Sequence, residues 1–500
     1  MPAGEDIAHG IYMWADYPIF GDFSKIQAIS FDAEDLLNLS LITSTSGKKK
    51  YAYISTPGLK LERMVQTGTA ESRALFTVPN GMYYVYGSNV SRIDPLIVST
   101  PIGQLTTNQN SVSICTNTPQ NQIVFADGAN GYVYATDTGD FTVIQNLASP
   151  IVIINLGGFF FAPLKNTNNI QYSSPNDATQ WQITDNFEIE NYQGNNVSAA
   201  VLGQRLFFFK NTSTEVWYLN GFNPNLPVSR DNNFIFNYGC LTNNSVQVET
   251  DYLFWLSQTK DGVSSFMMAQ TGNYYPQKIS DDSIDRMISG FTNPSDMSSY
   301  TYKNEYGHLI YVANWTTDNK TFCYDVNMQS WHRMAMTPQG LIIDGMYTDK
   351  QRHIANCHAY LNGTHYIAAY NSPIIYSFSN QYPDNAGEPI ARVRTCKNFF
   401  DQAYRMIQVN SLQIDMQLGI GNNDGEYTDP KCYLLTSRNG GGSFGNAKPA
   451  SIGKIGKTLG RLLWRRGGCS RDFVHKFVIV ASVAPISILG AAINYEVLTK

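Results

Sequence analysis

Charge is scarce in this chain. Asp, Glu, Lys and Arg make up 15% of its 500 residues, against roughly 25% in ordinary soluble domains. The net charge of −5 offers no overall basic footprint, which argues against general, sequence-independent nucleic-acid binding. Cysteine is sparse as well. The seven cysteines, at positions 115, 240, 323, 357, 396, 432 and 469, are scattered, odd in number and never spaced Cys-x-x-Cys. They read as reduced, mostly buried thiols of a protein made in a reducing cytoplasm. Met1–Phe20 is acidic and has no basic start leading into an apolar stretch, so no secretory signal is expected there. Phe477–Ile493 is uncharged and borderline in length for a membrane span. Pro485 in its middle and its Val, Ile and Ser content predict two strands joined by a turn, with no stable membrane insertion.

What the chain has instead is 43% hydrophobic residues, 31 tyrosines, and polarity drawn from Asn, Ser, Thr and Gln. That mix favours pleated, half-buried surfaces and turns over helices, and the length suggests roughly two to four domains. Few charges also suit a subunit that stays inside a large assembly, because little repulsion keeps it from its neighbours.

Before Asn380 a rhythm repeats: a strand, a Gly or Asn turn, a second strand, then a longer polar loop. Met82–Ile93 is the clearest hairpin. Ile123–Gly128 with Gly131–Ala135, Phe159–Phe161 with Ile170–Ser173, and Leu206–Phe209 with Glu215–Leu219 follow the same plan. Tyr252–Leu256 pairs with Phe266–Ala269 and Leu309–Ala313 with Phe322–Asp325, and His365–Tyr370 and Ile374–Phe378 are further strands. Starts recur near positions 76, 115, 152, 199, 246, 300 and 345, a spacing of four-stranded propeller blades. No repeating Trp-Asp or Gly-His signature occurs, so spacing alone carries the blade count. One helix is expected at Ser280–Ser289, with Ser283 as its cap. Residues 380–390 form a polar Pro/Gly linker, and in Leu412–Leu418 apolar and polar residues alternate as on a strand with one wet face. The expected fold is all-β. An N-terminal arm covers 1–60, a six- or seven-bladed β-propeller 61–385, and a C-terminal β-sandwich-like domain 391–500.

The end of the chain carries the sharpest pattern. A glycine turn, Ser437–Phe444, leads through a Lys/Gly stretch to Gly460-Arg461-Leu462-Leu463-Trp464-Arg465-Arg466-Gly467-Gly468-Cys469-Ser470-Arg471-Asp472, followed by two apolar runs, Phe473–Val480 and Ile486–Tyr495. This resembles the C-terminal signature of tail hub (nozzle) proteins of short-tailed bacteriophages, also called packaged-DNA stabilisation proteins. Asn38-Leu39-Ser40, Lys48-Lys49-Lys50 and Thr56-Pro57-Gly58-Leu59 are similar to the family's N-terminal elements, with Ser40 in place of an aromatic residue. Ser173–Asp177 with Trp181, and Thr214–Gly221, match in the middle. The resemblance implies a virion tail protein assembled in the bacterial host cytoplasm. It implies a ring, commonly a hexamer, below the portal and its adaptor, which continues the DNA channel, helps retain packaged DNA and anchors tail fibres or tailspikes. It brings no catalytic residues and no cofactor.

The alternatives to this reading are a carbohydrate-binding or carbohydrate-active propeller and a receptor-binding tail adhesin. Several motifs weigh little. Ser451–Thr458 imitates a phosphate-binding loop, but Ser451 stands where its first glycine is required, and a strand over Arg461–Arg466 is expected where a helix is needed. Ser437–Phe444 imitates a sialidase Asp-box with Asn439 for Asp. His353, Cys357, His358 and His365 lack a second Cys pair, so no zinc site is expected. Asp281-Asp282 and Glu34-Asp35 read as capping or solvated carboxylates, not an acid/base pair.

The remaining candidate is a basic rim of Arg461, Arg465, Arg466 and Arg471 around Trp464, with Lys476 nearby. On a strand, Arg461, Leu463 and Arg465 share one face and Leu462, Trp464 and Arg466 the other. Three uses fit: an edge that blocks strand addition, an interface with an acidic neighbouring ring, or phosphate contact with channel DNA.

Overall fold

Between Gly58 and Ser379, short runs of Tyr, Phe, Val and Ile closed by Gly or Asn turns fold into consecutive antiparallel hairpins. A computed structural model of the protein describes residues 14–23, 34–44, 49–117, 119–221, 226–262, 264–337, 342–343, 346–347 and 351–498. The chain divides into two compact units, 59–323 with 352–379, and 1–58 with 324–351 and 380–500.

The first unit is a propeller of seven sheets. Their first strands are Ser72–Val78, Ser113–Thr116, Ile154–Leu156, Asn196–Leu202, Gln247–Glu249, Met297–Lys303 and Ala355–Leu361. The first six starts match the spacing read from the sequence. The seventh lies ten residues beyond position 345, which falls outside the described residues. Residues from all seven strands or their flanks surround one axial cavity. Five blades are complete four-stranded sheets of consecutive strands. The seventh takes its outermost strand, Gly58–Met64, from the other end of the unit. Ser377 donates to the Glu62 carboxylate across that seam at 2.6 Å. Closure therefore joins distant parts of the chain, and the seventh blade cannot form without the strand that precedes the first.

Aromatic residues from facing strands fill the space between blades. Val85, Phe125 and Tyr132 pack between blades one and two, and Phe207, Phe209 and Trp255 between blades four and five. Each such ring removes a large apolar area from water. The paired hairpins expected at Met82–Ile93, Ile123–Ala135, Phe159–Ser173, Leu206–Leu219 and Tyr252–Ala269 are all present. The helix runs Asp282–Ser289, but its cap is Asp281, whose carboxylate accepts from Ile284 N at 2.8 Å. Ser283 lies two residues past the cap, buried inside the first turn.

The second unit is a sandwich made from three separated segments. One sheet holds Leu39–Thr43, Tyr51–Ser55, Ser487–Val497, Ile407–Met416 and Leu462–Ser470 in that order, with Trp14–Tyr17 also paired to Ser487–Val497. The other holds Ser330–Arg333, Asp35–Leu37, Ile390–Thr395, Asp472–Ala481, Lys431–Ser437 and Lys448–Ser451. The division expected from the sequence thus differs at two places. The described part of the supposed arm contributes strands to the sandwich, and 324–351 groups with it and not with the propeller. The apolar runs on either side of Pro485 are strands, as expected, but they belong to different sheets.

Asn38 locks this arrangement. In a left-handed conformation (φ 52°), which Asn tolerates better than most residues, it donates to the carbonyls of Ala335 and Ala391 at 3.0 and 2.7 Å. It also accepts from Ala335 N at 2.9 Å. Gly58 is required for a different reason: a Cβ there would come within 2.5 Å of the Asp384 carbonyl. That contact, and Asn380 donating to the Ser55 carbonyl at 2.7 Å, tie down much of the supposed linker 380–390.

The carboxylates Glu34 and Asp35, expected as solvated or capping groups, are buried. Asp35 takes a two-pronged bond from Arg333, at 2.7 to 3.0 Å. Glu34 meets Arg394, which also donates to the carbonyls of Ile19 and Asp22. Arg392 is fully buried with no carboxylate among its hydrogen-bond partners, which are Ser55 and the carbonyls of Ile390 and Ala481. Burial pushes its pKa down to about 9.

Candidate functional site

The predicted rim lies along one side of the sandwich. Leu462–Ser470 ends one sheet and Lys448–Ser451 ends the other, and the two edges touch where the Trp464 indole donates to the Lys448 carbonyl at 2.8 Å. Edge strands carry unpaired backbone groups, and cations or proline blunt them against unwanted pairing. Here Lys448, Pro449, Arg465 and Arg466 are all exposed on them.

Arg461, Arg465, Arg466 and Arg471 are exposed, and among the described residues their guanidinium groups make no hydrogen bond or ion pair. Leu462 and Trp464 share an inward face, as alternation predicts, with 0% and 6% exposure. Arg466 leaves that face. Its φ is +59°, and the pairing register shifts between Val409 and Ser411, so a bulge turns its side chain outward. Trp464 packs against Phe477, ring centroids 5.9 Å apart. It is a core residue, and the arginines stand out from the edge it anchors.

Sequence reasoning missed the extent of this charge. Ten cations and one anion fall between Lys431 and Lys476, a net of +9 in a chain whose net is −5. It read the Lys/Gly loop between the two edge strands as basic but missed its protruding apolar residues. That loop is held by backbone bonds from Gly456 N to the Gly419 carbonyl and from Lys457 N to the Lys454 carbonyl, at 3.2 and 3.0 Å. It displays Ile455 and Leu459, 57% and 94% exposed, between Lys454, Lys457 and Arg461. The sequence signal was Ile455 and Leu459, two apolar residues four positions apart in a Lys/Gly stretch.

The imitation motifs resolve into local structure. No helix follows Ser451–Thr458; the next element is the strand Leu462–Ser470. Asn439 organises the glycine turn, accepting from Ser443 N and donating to the Ser443 hydroxyl, both at 3.0 Å. Cys357 and His358 lie on the strand Ala355–Leu361, and His358 hydrogen-bonds His365 at 2.9 Å. Burial pushes His358 down to about 3. Among the described residues no three His, Cys, Asp or Glu side chains gather as a metal site.

The propeller's axial cavity measures about 630 Å³, the size of a small-molecule pocket. Its lining is uncharged apart from Arg73. Arg73 is buried and donates to the carbonyls of Gly87, Thr107 and Asn110.

A seven-sheet propeller and a sandwich with a cationic edge define a two-domain, all-β protein. Two family models match it in that order: bacteriophage P22 Gp10, beta-propeller, over residues 16–382, and bacteriophage P22 Gp10, beta-sandwich, over residues 392–496. The chain belongs to the bacteriophage P22 Gp10 family, tail hub proteins of short-tailed phages, and is a structural protein of a phage tail. No curated protein sequence matches it significantly. Among solved structures, the computationally designed Ika8 protein is 12% identical with a TM-score of 0.38, over 69% of this chain and 99% of that one. The extracellular domain of a putative one-component system from B. thetaiotaomicron is 9% identical with a TM-score of 0.42, over 70% and 44%. BamB from Moraxella catarrhalis is 8% identical with a TM-score of 0.35, over 61% and 93%.

Proposed function

We propose that the chain is the ring subunit of a tail hub, or nozzle. In this reading six copies form a ring below the portal and adaptor rings, assembled in the bacterial host cytoplasm. The ring continues the DNA channel, retains packaged DNA and anchors tail fibres or tailspikes. The observation that carries the reading is the ordered match of both parts of one tail family, over 16–382 and 392–496. Low charge and 31 tyrosines support it, because aromatic residues are enriched and most charges depleted in interface cores.

A neutral cavity of small-molecule size does not pass DNA, so the channel of such a ring runs among its subunits and not along a propeller axis. Arg461, Arg465, Arg466 and Arg471 form a protein-facing interface of the assembly, with Trp464 fixing the strand they stand on. The test is to make phage without this chain. Particles that fill their heads, then lose DNA and carry no fibres or spikes, are expected. Particles that keep their DNA and lack only host adsorption point to an adhesin. Purified protein that cleaves sialosides or polysaccharides at about 1 s⁻¹ or faster, an ordinary enzyme rate, also contradicts the reading.

A further inference from the structure

The basic edge has a chemical counterpart on the same chain. Between Asp127 and Glu190, in blades two and three, there are seven acids and one lysine, a net of −6. Asp137, Asp140, Glu188 and Glu190 are exposed, and none makes an ion pair among the described residues. The outer strands of these blades, Phe141–Val143 and Trp181–Glu188, each end their sheet. They expose Val143 and Ile183, at 44% and 73%. The outer edges of both blades therefore carry exposed acids and protruding aliphatic side chains, and the sandwich edge carries cations with Ile455 and Leu459 protruding.

We infer that the basic edge of one copy docks on the acidic outer edge of blades two and three of the next copy. Two different, complementary patches on one chain make a heterologous contact, and heterologous contacts that close produce rings. Charges of opposite sign set partner and register, while the aliphatic residues supply an apolar centre of the kind that carries interface energy. DNA or an anionic membrane would answer the cations alone and leave the acidic, aliphatic patch unused. The inference rests on the ring reading above and adds to it which surfaces meet.

The experiment uses tails purified from phage carrying Leu459→Cys and Ile183→Cys in one chain, with Cys469→Ser to remove the exposed native thiol. Mild oxidation is expected to give a ladder of cross-linked copies. Arg461→Glu with Arg465→Glu is expected to cut its yield about tenfold or more, the change that 1.4 kcal/mol of lost contact energy produces. Asp140→Lys with Glu188→Lys in the same chain is expected to restore it. Leu459→Asp, at an almost fully exposed side chain, weakens the contact without touching the core, and melting of each purified variant verifies its fold. Rings that give no ladder, cross-links confined within single chains, or charge-reversed tails with an unchanged ladder overturn the pairing and leave the ring reading standing. The pairing is equally overturned if charge reversal spares the ladder and abolishes binding of purified chain to DNA or phosphatidylserine vesicles. Tails holding one copy of the chain overturn both readings together.

Discussion

The propeller and the sandwich use similar strands in opposite ways. The propeller pairs neighbours in sequence: each of its first five sheets is four consecutive strands, and only the seam strand Gly58–Met64 comes from afar. The sandwich gathers residues from three segments, and Asn38 alone binds positions 297 and 353 residues away. Both interiors bury charged residues, but Arg73, Lys210 and Arg352 of the propeller bond to backbone carbonyls. Facing aromatic and aliphatic side chains hold the blades together. In the sandwich, charged residues do part of that work: Arg333 with Asp35 and Arg394 with Glu34 fasten the N-terminal strands to the rest. A chain with little charge has placed several of its charges where they are hardest to remove.

The largest way to break this comparison is to remove one partner of a buried pair. Asp35→Ala removes the carboxylate that takes the two-pronged bond from the buried Arg333, a loss of about 3–5 kcal/mol. Hydrogen exchange should show early opening of sandwich peptides while propeller peptides hold. Equal loosening of both parts, or a loss below about 1 kcal/mol, contradicts the distinction.

Acid should act on both parts. Burial pushes His332 down to about 4 and His353, His358 and His475 down to about 3, from 6.5. As pH falls below 6.5 the unfolded chain takes up protons that the folded chain refuses. Stability present above pH 6.5 is therefore lost progressively toward pH 3–4. Each histidine contributes a slope of about 1.4 kcal/mol per pH unit at most. His475 accepts from or donates to the Tyr17 hydroxyl at 2.9 Å. In His475→Gln the acid slope of the sandwich should be shallower and that of the propeller unchanged, measured by exchange across pH 4–7. An unaltered sandwich slope removes His475 from the account.

Smaller effects belong to the surface of the sandwich. Asn439→Ala should cost about 1 kcal/mol, the usual net worth of a hydrogen bond, read from the denaturation midpoint of the sandwich. Arg461→Glu with Arg465→Glu should change folding by only about 0–1 kcal/mol, as exposed charges do. A collapsed melting temperature would instead place their stems in the core with Trp464.

The same contrast explains what the sequence reveals. Blades are legible because Met82–Ile93 or Leu206–Leu219 carries strand, turn and strand within 12 or 14 residues. The strand Ile407–Met416 is legible too, since Leu412, Ile414 and Met416 alternate with Gln413 and Asp415. Nothing local in Glu34-Asp35 reveals that its guanidinium partners lie some 300 residues on or more. A linker signal at 380–390 is likewise silent about Ser55 and Gly58. On the rim, alternation locates Leu462 and Trp464 inside. Arg466 escapes it, because the bulge depends on pairing with Val409–Ser411 on another strand.

The claim at the centre is that this chain builds a ring in the tail. Electron microscopy of intact virions, with copies counted in the density fitted by the propeller and the sandwich, tests it most directly. Six copies closed around the DNA path beneath the adaptor are the expected result. A single copy at the tip of a fibre would contradict it.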